Sequence, residues 1–339
     1  MQSKFFFASL AAAAGMLISC NKEMTPSVQN TEETTTTTKV CPGLTPIVAA
    51  YIEVNDTNPL NAGDYFCDNG YPFFDIVELF AANIHKETVN GQVRPTLYLN
   101  DKLTPVLETV NGINGAEKYV QPLQENETKV LLTVLGDWQG IGVANMNDTQ
   151  AEQFAEILAY AVEKYGLDGI GFDDEYANYS GLPVSGSFGR IITKLHAKLP
   201  ADKLITVFAY GYTYQINSAA GALIDYAYTN FTYWNGTPGI SGVTKDRWAP
   251  IALNLGNTYN SSDLNTIRDY SADAKDGGYG AVMTFNLRRS SEVDPMPVLQ
   301  AIADGIGCGT LSCDDGDRAR DAGSVSTGYT ITYSEATGN

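Results

Sequence analysis

The sequence predicts an α/β protein built as a single (β/α)8 TIM barrel over residues 45–306. Eight short β-rich runs follow one another from residue 47, and segments with helical periodicity separate several of them. The length of this region, about 260 residues, suits one such barrel. An open doubly wound sheet is the alternative, but no GxGxxG motif follows the first run. With 44% hydrophobic and 18% charged residues, the composition is typical of a folded domain.

The first twenty residues predict an export signal. Lys4 precedes an apolar run of about fourteen residues, which is too short to span a bilayer. The run ends in Leu17-Ile18-Ser19-Cys20, which resembles the bacterial lipobox, where the cysteine is lipid-modified. An ordinary secretory signal with a chance cysteine is the alternative. We therefore expect an exported bacterial protein, anchored through Cys20 at the outer membrane or cell surface.

Two segments outside the barrel have other compositions. Residues 21–44 are rich in Thr and Glu with few apolar groups to bury, which predicts a flexible tether. Residues 307–339 form a tail rich in Asp, Gly and Ser, in which Thr327–Tyr333 could add an edge strand.

The charge and histidine content exclude several classes of function. With 21 basic and 39 acidic residues the formal net charge is -18, which repels nucleic acids and anionic membrane surfaces. We therefore expect no nucleic-acid partner and membrane contact only through the lipid. There are only two histidines, His85 and His196, which disfavours a histidine-rich metal site or a Ser-His-Asp triad. No metal or other cofactor is expected, and the chain is expected to be a monomer.

Four cysteines remain after Cys20: Cys41, Cys67, Cys308 and Cys313. An oxidising compartment permits disulfides, and three connectivities are open. Proximity in sequence favours Cys308–Cys313, which would leave Cys41 to pair with Cys67. A metal site is less favoured, because the sequence has no CxxC pair.

The predicted strands are the following runs: Ile47–Val54, Phe74–Ala82, Lys129–Leu135, Leu167–Asp173, Leu204–Tyr210, Ile224–Phe231, Pro250–Leu255 and Gly280–Asn286. A helix between the third and fourth runs is predicted to begin with a capping box at Thr149 and Glu152 and to end at Gly166. Further helices are predicted at 262–276 and near 104–125, 186–199 and 296–306.

The fourth run carries four acids in eight residues, from Asp168 to Glu175. Side chains alternate along a strand, so Asp173 and Glu175 share a face with Gly171. Two acids held close together in a partly desolvated site push one pKa up, and a protonated carboxyl can act as a general acid. A solvated acidic loop and a calcium site are the alternatives.

The stretch Asp168-Gly169-Ile170-Gly171-Phe172-Asp173-Asp174-Glu175 resembles the DxxDxDxE signature of family 18 glycoside hydrolases. Further stretches resemble the endo-β-N-acetylglucosaminidases typified by endoglycosidases H and F. These stretches are Ala50–Asn55, Leu79–Ile84, Val130–Gly136 with Gln139-Gly140, and Tyr176-Ala177. The similarity covers about residues 46–306.

The resemblance implies a role for each acid. Glu175 would donate a proton to the glycosidic oxygen and later activate water. Asp173 would orient the substrate's 2-acetamido group, whose carbonyl oxygen attacks the anomeric carbon and gives an oxazolinium intermediate with net retention. Asp168, the first acid of the signature, is placed among the substrate-binding candidates.

The sequence departs from the family pattern at two places. Gly171 stands where the signature has its second Asp, which in many relatives shares a hydrogen bond with the next one. In the sixth run, relatives offer a Tyr to the acetamido oxygen, whereas the ungapped register puts Phe231 there. Tyr233 could serve if the loop bulges, and Asn230 could serve as an amide donor.

The remaining substrate-binding candidates are residues at the ends of the runs: Glu53, Asn83, Gln139, Tyr176 and Asn286. A structural hydrogen bond or, for Tyr176, capping of the barrel core is the competing interpretation.

We expect an endo-β-N-acetylglucosaminidase that cuts the β-1,4 bond of the N,N′-diacetylchitobiose core of N-linked glycans, of high-mannose or hybrid type. A chitinase-like hydrolase is one alternative. A surface glycan-binding protein with weak catalysis is another, which Gly171 and Phe231 favour and Glu175 opposes.

Overall fold

The computed structural model describes residues 45–179, 181, 183–287 and 293–338. The predicted signal segment 1–20, the tether 21–44, and with them Cys20 and Cys41, lie outside the described residues. Within this described part, no helix has both the length and the apolar character needed to cross a bilayer.

The strands are β1 (Ile47–Glu53), β2 (Tyr65–Phe66), β3 (Ile76–Val89), β4 (Gln92–Leu99), β5 (Thr109–Val110), β6 (Ile113–Asn114), β7 (Lys129–Gly136), β8 (Gly169–Phe172), β9 (Leu204–Phe208), β10 (Tyr226–Tyr228), β11 (Trp248–Ala249), β12 (Ala252–Asn254), β13 (Ala281–Phe285), β14 (Ser312–Cys313) and β15 (Tyr329–Ile331). The α-helices are α1 (Thr104–Leu107), α2 (Gly115–Tyr119), α3 (Gln121–Glu125), α4 (Asp148–Tyr165), α5 (Ser187–Lys198), α6 (Ser218–Gly221), α7 (Ser261–Asp276), α8 (Met296–Ile306) and α9 (Tyr333–Thr337).

Nine parallel strands form a nearly closed barrel in the order β11-β10-β9-β8-β7-β3-β1-β13-β12. Strand β12 lies within the predicted seventh run, whereas β11 comes just before that run. The two strands are separated only by Pro250 and Ile251 and share one position of the barrel, so the nine strands fill eight positions. Proline lacks the N–H that a continuous ladder needs. Hydrogen bonds from Trp234 N to Pro250 O and from Met283 N to Ile251 O bridge the break. The predicted (β/α)8 barrel is confirmed.

Side-chain alternation divides the apolar residues into two cores. Along β1, Ile47, Ala49 and Tyr51 belong to the small cluster inside the barrel, whereas Val48 and Ile52 belong to the large cluster between the strands and the helices. The interior cluster carries large aromatic rings, including Tyr228, beside alanines, which fills the narrow interior. Every second position of a barrel strand therefore faces the interior, and the last of these positions meet at the carboxyl ends of the strands.

The helices agree with the prediction in part. The helices at 186–199, 262–276 and 296–306 are confirmed as α5, α7 and α8. The predicted segment 104–125 is divided into α1, α2 and α3 by the β5–β6 hairpin and by Pro122 at the start of α3. The described connections after β1 and β10 contain 3-10 turns, at Pro59–Asp64 and Lys245–Arg247, where a regular barrel has α-helices.

The start of α4 differs from the prediction. The helix is capped by Asn147, whose side chain accepts from Gln150 N while the Gln150 side chain accepts from Asn147 N. This capping box lies two residues before the predicted Thr149 and Glu152. The predicted end is confirmed, because Gly166 has φ +63° at the carboxyl terminus of the helix.

Strand β3 continues past the predicted end to Val89 and forms an antiparallel hairpin with β4. Asn90 and Gly91 both have positive φ in the turn, as a two-residue hairpin loop requires. The edge strand predicted in 327–333 is confirmed as β15, which pairs antiparallel with β4.

The tail packs against the first connection of the barrel. Arg318 pairs with Asp64, its N–H donates to Asn61 Oδ1 at 2.8 Å, and the Asn58 side chain donates to Ala319 O at 3.1 Å. Ser312 and Cys313 pair with β2 in the same connection. The tail is therefore folded onto the barrel.

The disulfide prediction is wrong, because Cys67 pairs with Cys308 and Cys313 is a free thiol among the described residues. Cys308 follows the left-handed Gly307 at the end of α8, which brings its thiol to the connection after β1. Cys313 instead lies on β14, opposite Tyr65. Proximity in sequence was a poor guide here, because the chain ends of a barrel meet in space.

Replacing both Cys67 and Cys308 with alanine should lower the free energy of unfolding by about 3–5 kcal/mol, because the bond closes a very long loop in the unfolded chain. The sequence separation of the two cysteines is 241. Denaturant unfolding monitored by circular dichroism measures the change. The matched control is Cys313→Ala, for which we expect a loss below about 1 kcal/mol. A double variant as stable as the parent would contradict the prediction.

Candidate active site

The acids of the fourth run separate to two sides of the strand, as the alternation predicts. The interior face carries Gly171, Asp173 and Glu175, whereas Phe172 packs against Phe188 of α5 on the outside. Asp174 also points away from the interior: its carboxylate accepts from the Tyr179 hydroxyl and, at 2.7 Å, from Tyr212 N. Asp173 and Glu175 are thus left as the two acids of this segment that face the mouth of the barrel.

A cavity of about 280 Å³ opens at the carboxyl ends of the barrel strands. Its lining combines polar or charged side chains with large apolar ones: Tyr51, Glu53, Phe80, Asp173, Glu175, Tyr176, Phe208, Met283, Phe285 and Asn286. Five of the residues that the sequence predicted are therefore brought together here, namely Glu53, Asp173, Glu175, Tyr176 and Asn286. The cavity therefore combines three acids with aromatic surface.

Asp173 is deeply buried, at 4% exposed. Burial, then the negative charges of Glu175 and Asp174, raise the pKa of Asp173 to about 8. Its Oδ1 finds no hydrogen-bond donor within the described part of the chain, although it lines the cavity. An unsatisfied buried carboxyl oxygen is costly, so its position indicates a ligand that supplies the missing partner.

Glu175 is half-buried, and burial is the first cause that raises its pKa, followed by the charge of Asp174. Hydrogen bonding by the Tyr176 side chain lowers the pKa and opposes the shift. A glutamic acid that holds its proton closer to neutral pH is suited to proton donation.

The backbone after β8 is held by close packing against the loop that follows β7. Glu175 O accepts from Gly136 N at 2.9 Å, and Tyr176 O accepts from Trp138 N at 2.6 Å. A Cβ on Gly136 would lie 2.4 Å from the backbone of Ala177, so only glycine allows this approach. Tyr176 itself has φ +55°, an uncommon conformation that turns its ring across the mouth of the cavity.

Several predicted site residues lie outside the lining of the cavity. Asp168 lies at the opposite, amino end of β8, where it accepts from Val130 N at 3.0 Å and pairs with Lys129. The Asn83 side chain donates to Gly136 O at 3.3 Å, and Gln139 is exposed in the following loop. The structure therefore gives Asp168 and Asn83 structural partners and does not bring them to the cavity.

The segment after β10 offers no tyrosine to the cavity. The Tyr233 ring stacks on Tyr270 of α7 and its hydroxyl donates to Asp273 at 3.0 Å, so Tyr233 faces that helix. Phe231 is 53% exposed and stacks on Trp234, and Asn230 is also exposed. None of the three lines the cavity.

Two polar residues of the barrel interior were missed as site candidates from the sequence. Tyr51 lines the cavity and packs edge-on against Tyr228. Glu78 lies fully buried on β3, where it accepts hydrogen bonds from the hydroxyls of Thr133 and Thr206. The signal for Glu78 was present, since it is a lone acid in the otherwise apolar run Ile76-Val77-Glu78-Leu79-Phe80.

The free energy of unfolding should fall as the pH rises from about 4 to 8. Burial raises the pKa of Asp75 to about 8, that of Glu78 to about 7 and that of Asp173 to about 8. Because these pKa values exceed those of the unfolded chain, the native state binds more protons, and this stabilisation is complete below about pH 4 and lost by about pH 8. Urea unfolding at pH 5 and pH 8 measures the change.

Asp173→Asn is the control for this pH dependence, because it removes one titrating group. Between about pH 4 and pH 8, the free energy of unfolding of the variant should fall less steeply with pH than that of the parent, by up to about 1.4 kcal/mol per pH unit. The same slope in the variant and the parent, or a stability that rises toward pH 8, would contradict the assignment.

The arrangement is suited to acid–base chemistry without a metal ligand set. In the described part of the chain, no three His, Cys, Asp or Glu side chains are grouped so that they could hold a metal ion. Asp173 and Glu175 both follow the end of β8 and line the same cavity, so they approach a bound ligand from the same strand. In glycosidases that use two carboxyl groups without help from the substrate, by contrast, the two groups flank the scissile bond from opposite sides.

The chain is similar to enzymes of known activity, although no family model matches it. It is 36% identical over 251 residues to an endo-β-N-acetylglucosaminidase of Flavobacterium sp. strain SK1022, covering 71% of this chain and 75% of that protein. It is 31% identical over 274 residues to endo-β-N-acetylglucosaminidase F1 of Elizabethkingia meningoseptica, covering 75% and 76%.

Among solved structures, EndoBT-3987 of Bacteroides thetaiotaomicron in complex with Man9GlcNAc2Asn matches with a TM-score of 0.65 and 26% identity, over 80% of this chain and 68% of that chain. Its complex with a Man5GlcNAc product matches with a TM-score of 0.64 and 26% identity. That match covers 81% of this chain and spans 64% of the other chain's length. Together with the barrel and the acids at its mouth, the two enzyme relatives show that this chain belongs to the endo-β-N-acetylglucosaminidases of glycoside hydrolase family 18, of the endoglycosidase H and F type.

Proposed function

We propose that this enzyme hydrolyses the β-1,4 bond of the N,N′-diacetylchitobiose core of N-linked glycans and leaves one N-acetylglucosamine on the protein. The observation that carries the proposal is the pair Asp173 and Glu175 in one cavity, both with raised pKa, in a chain of this family. High-mannose or hybrid glycans are the proposed substrates. EndoBT-3987, which shares the fold, has been solved with Man9GlcNAc2Asn and with Man5GlcNAc.

Glu175 is the proposed general acid. Its side chain reaches the cavity from the end of β8, and partial burial raises its pKa toward the range in which a carboxyl still holds its proton. The proton passes to the glycosidic oxygen as the bond to the anomeric carbon breaks. The resulting carboxylate then takes a proton from the water that attacks in the second step.

Asp173 is the proposed partner of the substrate's 2-acetamido group. Its Oδ1, which no described donor reaches, can accept the acetamido N–H and so hold the carbonyl oxygen against the anomeric carbon. That oxygen attacks as the leaving group departs, which gives an oxazolinium ion. The developing positive charge favours the ionised form of Asp173, and as a carboxylate Asp173 stabilises that charge. Water then opens the ring, and two inversions at the anomeric carbon give net retention.

Binding of the sugar involves the remaining lining residues. Glu53 and Asn286 line the cavity and offer hydrogen bonds to the sugar, and the Asn286 side chain is itself held by a 3.0 Å hydrogen bond to Asn254. Tyr176 packs against Trp138, and both rings are more than half exposed. We propose that these rings stack on sugar faces at the mouth.

Mass spectrometry after incubation with high-mannose, hybrid and complex glycoproteins tests the function. The expected result is release of high-mannose or hybrid glycans with one N-acetylglucosamine left on the protein. Chitin oligomers are the control substrate. Cleavage of chitin oligomers alone would establish the chitinase alternative, and tight glycan binding without any product would establish the binding-protein alternative.

We further propose that the mature protein is a lipoprotein anchored through Cys20 at the outer membrane or cell surface. The sequence before Cys20 supports this proposal. In cells fed radiolabelled palmitate, the protein should carry label and sediment with membranes, and Cys20→Ser should abolish both. Secretion of the unlabelled parent protein would refute the anchor.

A further inference from the structure

One acid inside the barrel has no part in the chemistry described so far. Glu78 is 0% exposed, and each carboxyl oxygen accepts one hydroxyl: Thr133 donates to Oε2 at 2.8 Å and Thr206 donates to Oε1. Among the described residues, no lysine, arginine or histidine forms an ion pair with it. A buried acid without a cation costs stability that a leucine at the same position would not. Such a residue is therefore a candidate for function.

Glu78 occupies the space next to Gly171. A Cβ built on Gly171 would lie 2.2 Å from Glu78 Oε2 and 2.9 Å from Thr206 Oγ1. Thr133, Gly171 and Thr206 are register partners on adjacent strands, so the two threonines that hold Glu78 are the neighbours of Gly171. The carboxyl of Glu78 therefore fills the interior position that a side chain on residue 171 would otherwise take.

Tyr51 connects Glu78 to the cavity. Tyr51 and Glu78 are register partners on β1 and β3, so their side chains lie side by side on the interior face. Burial first, and then the charges of Glu78, Tyr228 and Asp173, raise the pKa of Tyr51, which keeps its hydroxyl protonated. The Tyr51 ring lines the same cavity as Asp173. Tyr51 therefore lies beside Glu78 on one side and shares the cavity with Asp173 on the other.

We propose that Glu78 is a positioning residue for Asp173, which supplies from β3, through Tyr51, the supporting carboxyl that the Gly171 position on β8 lacks. This inference rests on the proposed function, since it takes Asp173 to be the partner of the acetamido group. In this arrangement Glu78 and Asp173 lie in successive layers of the barrel interior. The Tyr51 hydroxyl has no hydrogen-bond partner among the described residues, so it is free to donate to Asp173 when a ligand fixes that carboxyl. Loss of the Glu78 carboxyl would leave Tyr51 and Asp173 without a fixed orientation.

The first test is Glu78→Gln, which retains the size of the side chain. We expect kcat on a high-mannose glycoprotein to fall about 10- to 100-fold, because Asp173 loses its orientation, while KM changes less than about threefold. The melting temperature is measured in parallel. A variant that folds and keeps the parent kcat would overturn the proposal.

The second test moves the carboxyl to the neighbouring strand. The double variant Glu78→Ala with Gly171→Asp should have a kcat at least about tenfold higher than that of Glu78→Ala alone, because the new side chain enters the vacated space. The matched control, Glu78→Ala with Gly171→Asn, has nearly the same shape without the acid and should not recover. Gly171→Asp alone should have a lower kcat than the parent, because the new side chain must displace the Glu78 carboxyl from its threonine partners. Equal activity of the Asp and Asn double variants would overturn the proposal.

A third variant tests the proposal if the Glu78 and Gly171 variants do not fold. Thr133→Val removes one donor to Glu78 and leaves the carboxyl in place, and we expect kcat to fall at least about threefold with little change in KM. An unchanged kcat would overturn the proposal. Glycan release by the parent enzyme is measured alongside the variants. Failure of the parent to release glycans would refute the proposed function, whereas an active parent with fully active Glu78 variants would refute only the role of Glu78.

Discussion

Glu175→Gln should lower kcat by about 10²–10⁴-fold, the range expected when a general acid is removed. Glutamine has the shape of the glutamic acid but no proton to give to the glycosidic oxygen, so bond cleavage becomes slow. The half-buried position at the mouth of the cavity tolerates the amide, and the fold should be unchanged. Glycan release measured by mass spectrometry and glycopeptide binding measured by calorimetry check the two halves of this expectation.

A surface glutamate supplies the control for that experiment. Glu163 is exposed on α4, far from the carboxyl ends of the strands, and Glu163→Gln should retain the parent rate. The loss in Glu175→Gln should also shrink on a substrate whose leaving group needs no protonation. A Glu175→Gln enzyme within tenfold of the parent on the natural glycoprotein would show that another residue is the acid.

Asp173→Asn should lower kcat by about 10²–10³-fold, with a smaller effect on KM. The carboxylate is needed when positive charge develops on the acetamido group, and an interaction that strengthens only in the transition state affects kcat. Because the burial that raises the pKa of Asp173 also excludes water, no solvent can replace the lost charge. Steady-state kinetics on one defined high-mannose glycopeptide measures both constants.

The leaving group distinguishes this variant from the previous one. The acetamido oxygen must still attack when the leaving group is good, so the loss in Asp173→Asn should persist on an activated substrate, unlike that in Glu175→Gln. If an activated substrate restored the rate of both variants equally, the separate roles of Asp173 and Glu175 would be contradicted. Wild-type kinetics in Asp173→Asn would remove the argument for participation of the acetamido group.

The barrel strands could be predicted because their apolar residues alternate between two cores. In β1, one set of residues faces the interior and the other faces the helices, and this pattern is visible in the sequence. The long hairpin of β3 and β4 was missed although its turn, Asn90-Gly91, is a recognisable hairpin signal. Residues 83–89 of the extension are mostly polar, so no run of apolar residues marks them as a strand.

From the sequence, the site could be predicted only where the alternation of side chains along a single strand determines which residues share a face. Asp173 and Glu175 follow from alternation alone. Asp168 was grouped with them because it belongs to the same signature, yet five residues of strand separate it from Asp173, roughly 17 Å along the axis. Glu78 could not be linked to Gly171 from one sequence, because β7 lies between their strands and only the barrel brings the two residues together.

The bond between Cys67 and Cys308 has a consequence for biosynthesis. A nascent chain emerges amino end first. Cys67 is therefore made before Cys308, which follows it at a sequence separation of 241. In an oxidising compartment, the Cys67 thiol can during that interval be oxidised to a disulfide with Cys41, which emerges earlier. A later thiol–disulfide exchange would then be needed to transfer the bond to Cys308. We expect polypeptides stalled before Cys308 to remain open to thiol-alkylating reagents at Cys67, and the completed polypeptide to become resistant.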